Sequence, residues 1–171
     1  MKMPVWFIVA ALLLITAAPA RAQQSAHADI MDSKGQKIGT ARLEQSSSGV
    51  RISLTASQLP PGTHGFHIHT VGKCDPPDFK TAGPHFNPDN KKHGVKNPDG
   101  PHAGDLSNIE VAADGTVRVT SLAPNLTLGE GPNSLFHDGG TSLVIHAQAD
   151  DLMTDPSGNS GARIACGVIQ K

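Results

Sequence analysis

The stretch GFHIHT, residues 65–70, sets His67 and His69 one residue apart inside an apolar run. Side chains of a β-strand alternate between its two faces. Read as a strand, the stretch turns Phe66 and Ile68 to one face and His67 and His69 to the other. The apolar pair enters a core and the imidazole pair points away from it. Two imidazoles on the outside of a sheet suit a metal ion but cannot fill its coordination sphere. Further ligands are therefore expected elsewhere in the chain.

Strand signals recur on both sides of this stretch, and helical periodicity is weak throughout. VRISLTAS (50–57) places Val50, Ile52, Leu54 and Ala56 on one face and polar residues on the other. NIEVAADGTVRVT (108–120) reads as two short strands around Asp114-Gly115, a dipeptide suited to a tight hairpin. Gly35 and Gly49 mark further turns. TSLVIHAQ (141–148) and ARIACGVI (162–169) read as late, largely buried strands. In the first of these Leu143 and Ile145 take the core side, which leaves His146 facing outward like His67 and His69. Many short strands separated by turns predict an all-β sandwich or barrel. Residues 70–105 and 149–162 break the pattern. Both are rich in Pro, Gly, Asp and Asn without any period, and a loop as long as the first is commonly functional or disordered.

Residues 1–22 carry the marks of a secretory signal. Lys2 precedes the apolar run Val5–Ala18, and Ala20 and Ala22 form an A-x-A cleavage site ahead of Gln23. The run is short for a transmembrane anchor, and no Cys follows it to take a lipid. Removal of this segment leaves residues 23–171 as one domain of comfortable size for a single core. A net charge of −1 points to neither nucleic acid nor an acidic membrane as partner. Beyond the signal the chain has no Trp and no Tyr. Its two cysteines are Cys74 and Cys166. In an oxidising compartment an isolated pair reads as a disulfide. The alternatives are free thiols or metal-binding thiolates, and neither cysteine lies in a C-x-x-C pair. A closed loop of roughly 90 residues contributes ~4–5 kcal/mol in a chain-entropy model.

The nine histidines are 27, 64, 67, 69, 85, 93, 102, 137 and 146. Two share a strand face, three are spaced along the first long loop, and one sits in a late strand. Spacing alone does not say which residues bind which metal. Taken in order, however, GFHIH, GPHFNP, KKHG, PHAGDLSN, VIHAQADD and GNSGARIACGVI resemble copper/zinc superoxide dismutase of the bacterial, exported type. The resemblance runs from about residue 26 to residue 169. It implies a flattened Greek-key barrel of about eight antiparallel strands. It also implies copper on His67, His69, His85 and His146, and zinc on His85, His93, His102 and Asp105. Each subunit would hold one ion of each kind, with His85 as the shared ring. Imidazole suits both metals, and a closed His₃Asp set suits a structural zinc. Asp150 would receive the free ring N–H groups of His67 and His93, and Arg163 would stand beside the copper. Ser157, where relatives often have a threonine, would narrow the channel. The disulfide Cys74–Cys166 would tie the first loop to the strand carrying Arg163. His27, His64 and His137 match no ligand position; His27 and His137 read as surface residues, and Asp151 as a solvated acid.

The implied activity is disproportionation of superoxide to dioxygen and hydrogen peroxide through a Cu(II)/Cu(I) cycle, an antioxidant role in the periplasm or outside the cell. No membrane partner is expected after cleavage. A homodimer is open, because the fold builds dimers in more than one way. The loop between His146 and Arg163 is shorter than in typical cytosolic relatives and lacks their charged stretch. Guidance of the anion would then fall to lysines of the first loop: Lys73, Lys80, Lys91, Lys92 and Lys96. Two other readings compete. A copper store or chaperone would be favoured by a missing ligand, and none is missing. A zinc hydrolase needs an open zinc position and a general base, and no spare Glu accompanies the cluster.

Overall fold

A computed structural model describes residues 24–171. The expected signal, 1–22, lies outside the described residues. Strands β1 (Ser25–Asp32), β2 (Lys37–Ser46) and β3 (Gly49–Ala56) form a meander. Short β4 (Gly62–His64) and β5 (Phe66–His69) follow, then β6 (Ile109–Val111), β7 (Val117–Ala123), β8 (Ser142–His146) and β9 (Arg163–Val168). Seven strands make one antiparallel sheet in the order β5-β8-β9-β1-β2-β3-β7, while β4 pairs with β6. β4 runs into edge strand β5 through Gly65, and β6 runs into the opposite edge β7. The β4–β6 pair thus links the two ends of the curled sheet. This is the Greek-key barrel that the family resemblance implies, with nine strands in place of about eight. Three-residue β4 is too short to show an alternation.

The alternation does its expected work. Ala26, Ala28 and Ile30 of β1, Val50, Ile52 and Leu54 of β3, and Leu143 and Ile145 of β8 are buried in one core with Phe66 and Ile68. In β2 the buried residues are Ile38, Ala41 and Leu43, and the change of parity has a cause. Ile30 pairs with Gly39 but Met31 with Lys37, so Ile38 is the extra residue of a β-bulge.

One expectation needs correction. The turn at Asp114-Gly115 forms: the Ala112 N–H donates to Thr116 O at 2.8 Å, and Gly115 has a φ of 78°. The strands that it joins do not pair with each other along their length, however, because β6 pairs with β4 and β7 with β3. The turn is a corner of the barrel and not the tip of a free-standing hairpin.

The first long loop has a small apolar cluster of its own. Phe79, Ala82, Val144 and Cys166 are buried together, with Cys74 packed against them. Cys74 and Cys166 are disulfide-bonded, with Cα atoms 5.6 Å apart. A single 3₁₀ turn, Lys80–Ala82, interrupts the loop.

Candidate metal centre

Backbone hydrogen bonds bring the scattered residues together. β5 is an edge strand, and the first loop covers its free edge. The Phe86 N–H donates to Ile68 O at 2.8 Å, the Ile68 N–H to Gly104 O at 2.9 Å and the Thr70 N–H to Pro84 O at 2.9 Å. His69 is thereby bridged to His85 and His67 to Asp105. On the other side of β5, His67 pairs with Val144 of β8, and His146 at the end of β8 is level with Arg163 of β9. Phe66 and Ile68 face the core, as read from the sequence. The imidazole face is also closed off: His67 and His69 are almost wholly buried, because both long loops lie over them.

Two four-residue sets of donor atoms result, each gathered within 4.8 Å, beside a smaller group of His67, His93 and Asp150. One is His67, His69, His85 and His146; the other is His85, His93, His102 and Asp105. His85 belongs to both, with its ring centroid 4.1 Å from that of His67 and 5.1 Å from that of His93. Every ligand position inferred from the sequence lies in one or both sets.

The proton arrangement calls for cations here. His69 Nδ1–H donates to Gly83 O at 2.8 Å and His146 Nδ1–H to Gly161 O at 3.3 Å. Each Nε2 then carries a lone pair, yet the two Nε2 atoms face each other at 3.4 Å. His67 Nδ1 and His85 Nε2 are buried with no hydrogen-bond partner. Native proteins rarely leave such atoms unpaired. In the second set three Nδ1 atoms crowd one oxygen, Asp105 Oδ1, at 2.8 Å from His85, 3.0 Å from His93 and 3.2 Å from His102. One carboxylate oxygen does not serve three ring N–H donors well; a cation among four donors resolves the crowding. The residues fit a nitrogen-rich ion in the first set and a His₃Asp ion in the second.

Burial sets the electrostatics. It pushes the His85 pKa down to about 4 against the pull of Asp105, and the His146 pKa down to about 3. Burial, and then the neighbouring His85, hold His69 far below the ordinary imidazole range. Neutral rings of this kind are ready ligands. His93 goes the other way. Burial pulls it down, but its hydrogen bonds to Asp105 and Asp150 outweigh burial and push it up to about 9. Burial would raise Asp105, yet the rings of His102, His85 and His93 hold it far below the usual carboxylate range.

Asp150 sits behind both sets. Its Oδ2 accepts from His67 Nε2–H at 2.7 Å and its Oδ1 from His93 Nε2–H at 3.0 Å. The proton on Nε2 leaves Nδ1 of His67 free for an ion. Asn108 clamps the Asp150 backbone with both ends of its amide, each bond 2.8 Å long. Gly158 packs on the Asp150–His93 contact at a φ of 61°, and a Cβ there would overlap the Asp150 carboxylate. The sequence reading missed Asn108, although it lies within the motif PHAGDLSN.

Arg163 is held by the first loop. Its Nη1 donates to Phe79 O and its Nη2 to Gly83 O, both at 2.6 Å. Gly83 O also takes the His69 proton, so one carbonyl fixes the guanidinium and a member of the first set. For Ser157, the carbonyl accepts from Ser160 N at 3.2 Å and from Ser160 Oγ at 2.8 Å; no bond of its hydroxyl reaches a ring among the described residues.

His64 is buried with its ring nitrogens 2.7 Å from His146 O and 2.8 Å from Pro60 O, a bracing role with no place for an ion. His27 is exposed, as expected. His137 is not a free surface residue: it stacks on Phe86, with centroids 5.0 Å apart, because the first loop offers it an aromatic face. Asp151 is exposed but not merely solvated. It accepts from the N–H groups of Met153 and Thr154 and from Asn159 Nδ2, which together hold its pKa down to about 2. Among the lysines of the first loop, Lys80 is paired with Asp78 at 2.8 Å and Lys92 with Asp155 at 3.4 Å.

A barrel carrying two ligand sets that share one imidazole is a dinuclear metal-binding protein. The family profile of copper/zinc superoxide dismutase (SODC) matches residues 37–169. Superoxide dismutase (Cu-Zn) 1 of Aquifex aeolicus (strain VF5) is 60% identical over 146 residues, covering 84% of this chain and 86% of that protein. Superoxide dismutase-like protein YojM of Bacillus subtilis (strain 168) is 46% identical over 146 residues, covering 84% of this chain and 74% of that protein. A crystal structure of a mutant SOD-like protein from Bacillus subtilis superposes with a TM-score of 0.82 at 45% identity, covering 85% of this chain and 97% of that one.

The chain belongs to the copper/zinc superoxide dismutase family, in its bacterial form. It is an oxidoreductase that disproportionates superoxide, with one copper and one zinc ion per subunit. Its bacterial relatives and its disulfide fit a place outside the cytoplasm.

Proposed function

We propose that His67, His69, His85 and His146 hold the copper, that His85, His93, His102 and Asp105 hold the zinc, and that the His85 ring is shared. Bound copper, alternating between Cu(II) and Cu(I), supplies the one-electron chemistry that turns two superoxide ions and two protons into dioxygen and hydrogen peroxide. The chain supplies position, charge and a proton. His85 Nε2, buried and without a protein partner, takes up a proton and gives it to the reduced substrate, while Nδ1 keeps the ring fixed on the Asp105 side. Asp150 orients His67 and His93 from behind. Arg163, charged at any ordinary pH, draws in the anion from a position fixed by two carbonyls. The channel role of Ser157 rests on the family resemblance alone.

The observation that carries this reading is the membership of His85 in both sets. Copper EPR of the holoprotein and of Asp105→Ala is the test. Loss of zinc in the variant is expected to change the copper spectrum, because the shared ring is released on one side. Zinc loss with an unchanged copper spectrum would show that no ligand is shared.

Arg163→Gln is expected to lower kcat/KM about tenfold and to flatten its dependence on ionic strength, since a fixed charge near the channel acts on encounter. A rate series in salt measures this; a slope equal to wild type counts against the anion-guiding role.

Residues 1–22 are read as a cleavable export signal and residues 23–171 as one domain that acts in the periplasm or beyond the cell. There Cys74–Cys166 forms, and the enzyme protects against superoxide outside the cytoplasm. Assembly as a homodimer belongs to the same reading.

A further inference from the structure

Asp155 lies in the second long loop, and its carboxylate crosses to the first. Oδ1 accepts the His93 N–H at 2.8 Å and stands 3.9 Å from His102 Nε2. Oδ2 lies 3.4 Å from Lys92 Nζ. One side chain therefore meets two of the four members of the Asp105 set. His93 and His102 turn Nδ1 toward Asp105 Oδ1; Asp155 meets the first on its main chain and the second on the opposite ring edge. The two contacts differ in kind. The amide bond fixes the backbone from which the His93 ring projects. At 3.9 Å the His102 contact is too long for a hydrogen bond; it places a carboxylate oxygen beside the ring edge that faces away from Asp105. The Lys92 pair is exposed on both sides, and such pairs contribute little. Near this contact the two loops also touch at Gly94, where a Cβ would run into the backbone of Leu152 and Met153.

We infer that Asp155 is a positioning residue for the zinc set, a third carboxylate beyond Asp105 and Asp150 that holds His93 and His102 ready for the ion. This rests on the assignment of zinc to the Asp105 set. Residues behind a metal ligand typically change affinity by ~10–100-fold when lost, and an exposed carboxylate belongs at the lower end of that range.

Zinc affinity of the full protein is measured by chelator competition, with the visible spectrum of the cobalt-substituted protein as a second readout. Asp155→Ala is expected to bind zinc about tenfold more weakly and to shift the cobalt bands. Asp155→Asn keeps an oxygen for the His93 N–H and is expected to recover most of the affinity. Lys92→Ala is expected to match wild type. Wild-type zinc affinity and cobalt spectrum in Asp155→Ala overturn the inference. Equal losses in Asp155→Ala and Asp155→Asn overturn positioning through the His93 amide. Asp105→Ala separates the two readings: if it too binds zinc like wild type, the zinc assignment itself has failed. If it loses zinc while Asp155→Ala does not, only the role of Asp155 has failed.

Discussion

Replacing His85 with alanine is expected to lower the rate of superoxide disproportionation by more than ~100-fold, beyond the ~10–100-fold that loss of a residue behind a ligand costs. The reason is geometric. His85 is the one residue in both ligand sets, and its ring adjoins those of both His67 and His93. On the proposed assignment, its removal would take a donor from each ion and the buried proton site from the reaction. Copper and zinc affinities should fall together, which replacement of His146 or of His102 should not cause. Pulse radiolysis of the metal-loaded variant, with metal analysis of the same sample, measures the effect. Wild-type turnover with both ions bound would remove His85 from the mechanism.

The metal-free protein is expected to be most stable near pH 6.5 and to lose stability on both sides. On the acid side, His85 and His146 titrate at 6.5 when unfolded but are held at about 4 and about 3 in the fold. Between those values the unfolded chain binds more protons, so stability falls as pH falls from 6.5. On the alkaline side, His93 titrates at about 9 in the fold. Its contribution is fully present below 6.5 and is lost as pH rises through 9. A shift of one unit corresponds to ~1.4 kcal/mol, so the buried His85 alone is worth on the order of a few kcal/mol at the acid end. Urea unfolding of the metal-free protein between pH 4 and 9 maps this curve, with native content checked by circular dichroism. A flat profile from pH 6.5 to 4 would mean that the rings are not held neutral. Metal-loaded protein should show the acid fall at lower pH, because an ion replaces the proton on each ligand.

Much of this was legible before any coordinates. The period-two pattern of GFHIHT, VRISLTAS and TSLVIHAQ picked out the core-facing residues correctly, because each of these strands has one apolar face. The proposed ligand positions came from the order of motifs and not from spacing: nothing in the interval between His85 and Asp105 says that they meet beside the free edge of β5. What was missed has physical reasons. β4 is too short to alternate, and the bulge at Ile38 breaks the parity of β2. The pairing of β6 with β4 depends on barrel closure, which a local dipeptide such as Asp114-Gly115 does not encode. Asp155 and Asn108 act over 62 and 42 residues, and small polar residues in loops carry no mark of their distant partners. The carbonyls of Phe79 and Gly83 that seat Arg163 leave no side-chain signature at all.

The covering of β5 has a consequence for the newly made chain. An open strand edge invites pairing with a foreign strand, and here the cover consists of residues 84–86 and 103–105; within it Asp105 gathers the imidazoles of His85, His93 and His102 around one oxygen. Until an ion draws those groups together, the cover is held mainly by a few main-chain bonds and by the Cys74–Cys166 link further along. Loading with metal is therefore expected to hold this cover in place and to keep the β5 edge from pairing with other copies of the chain.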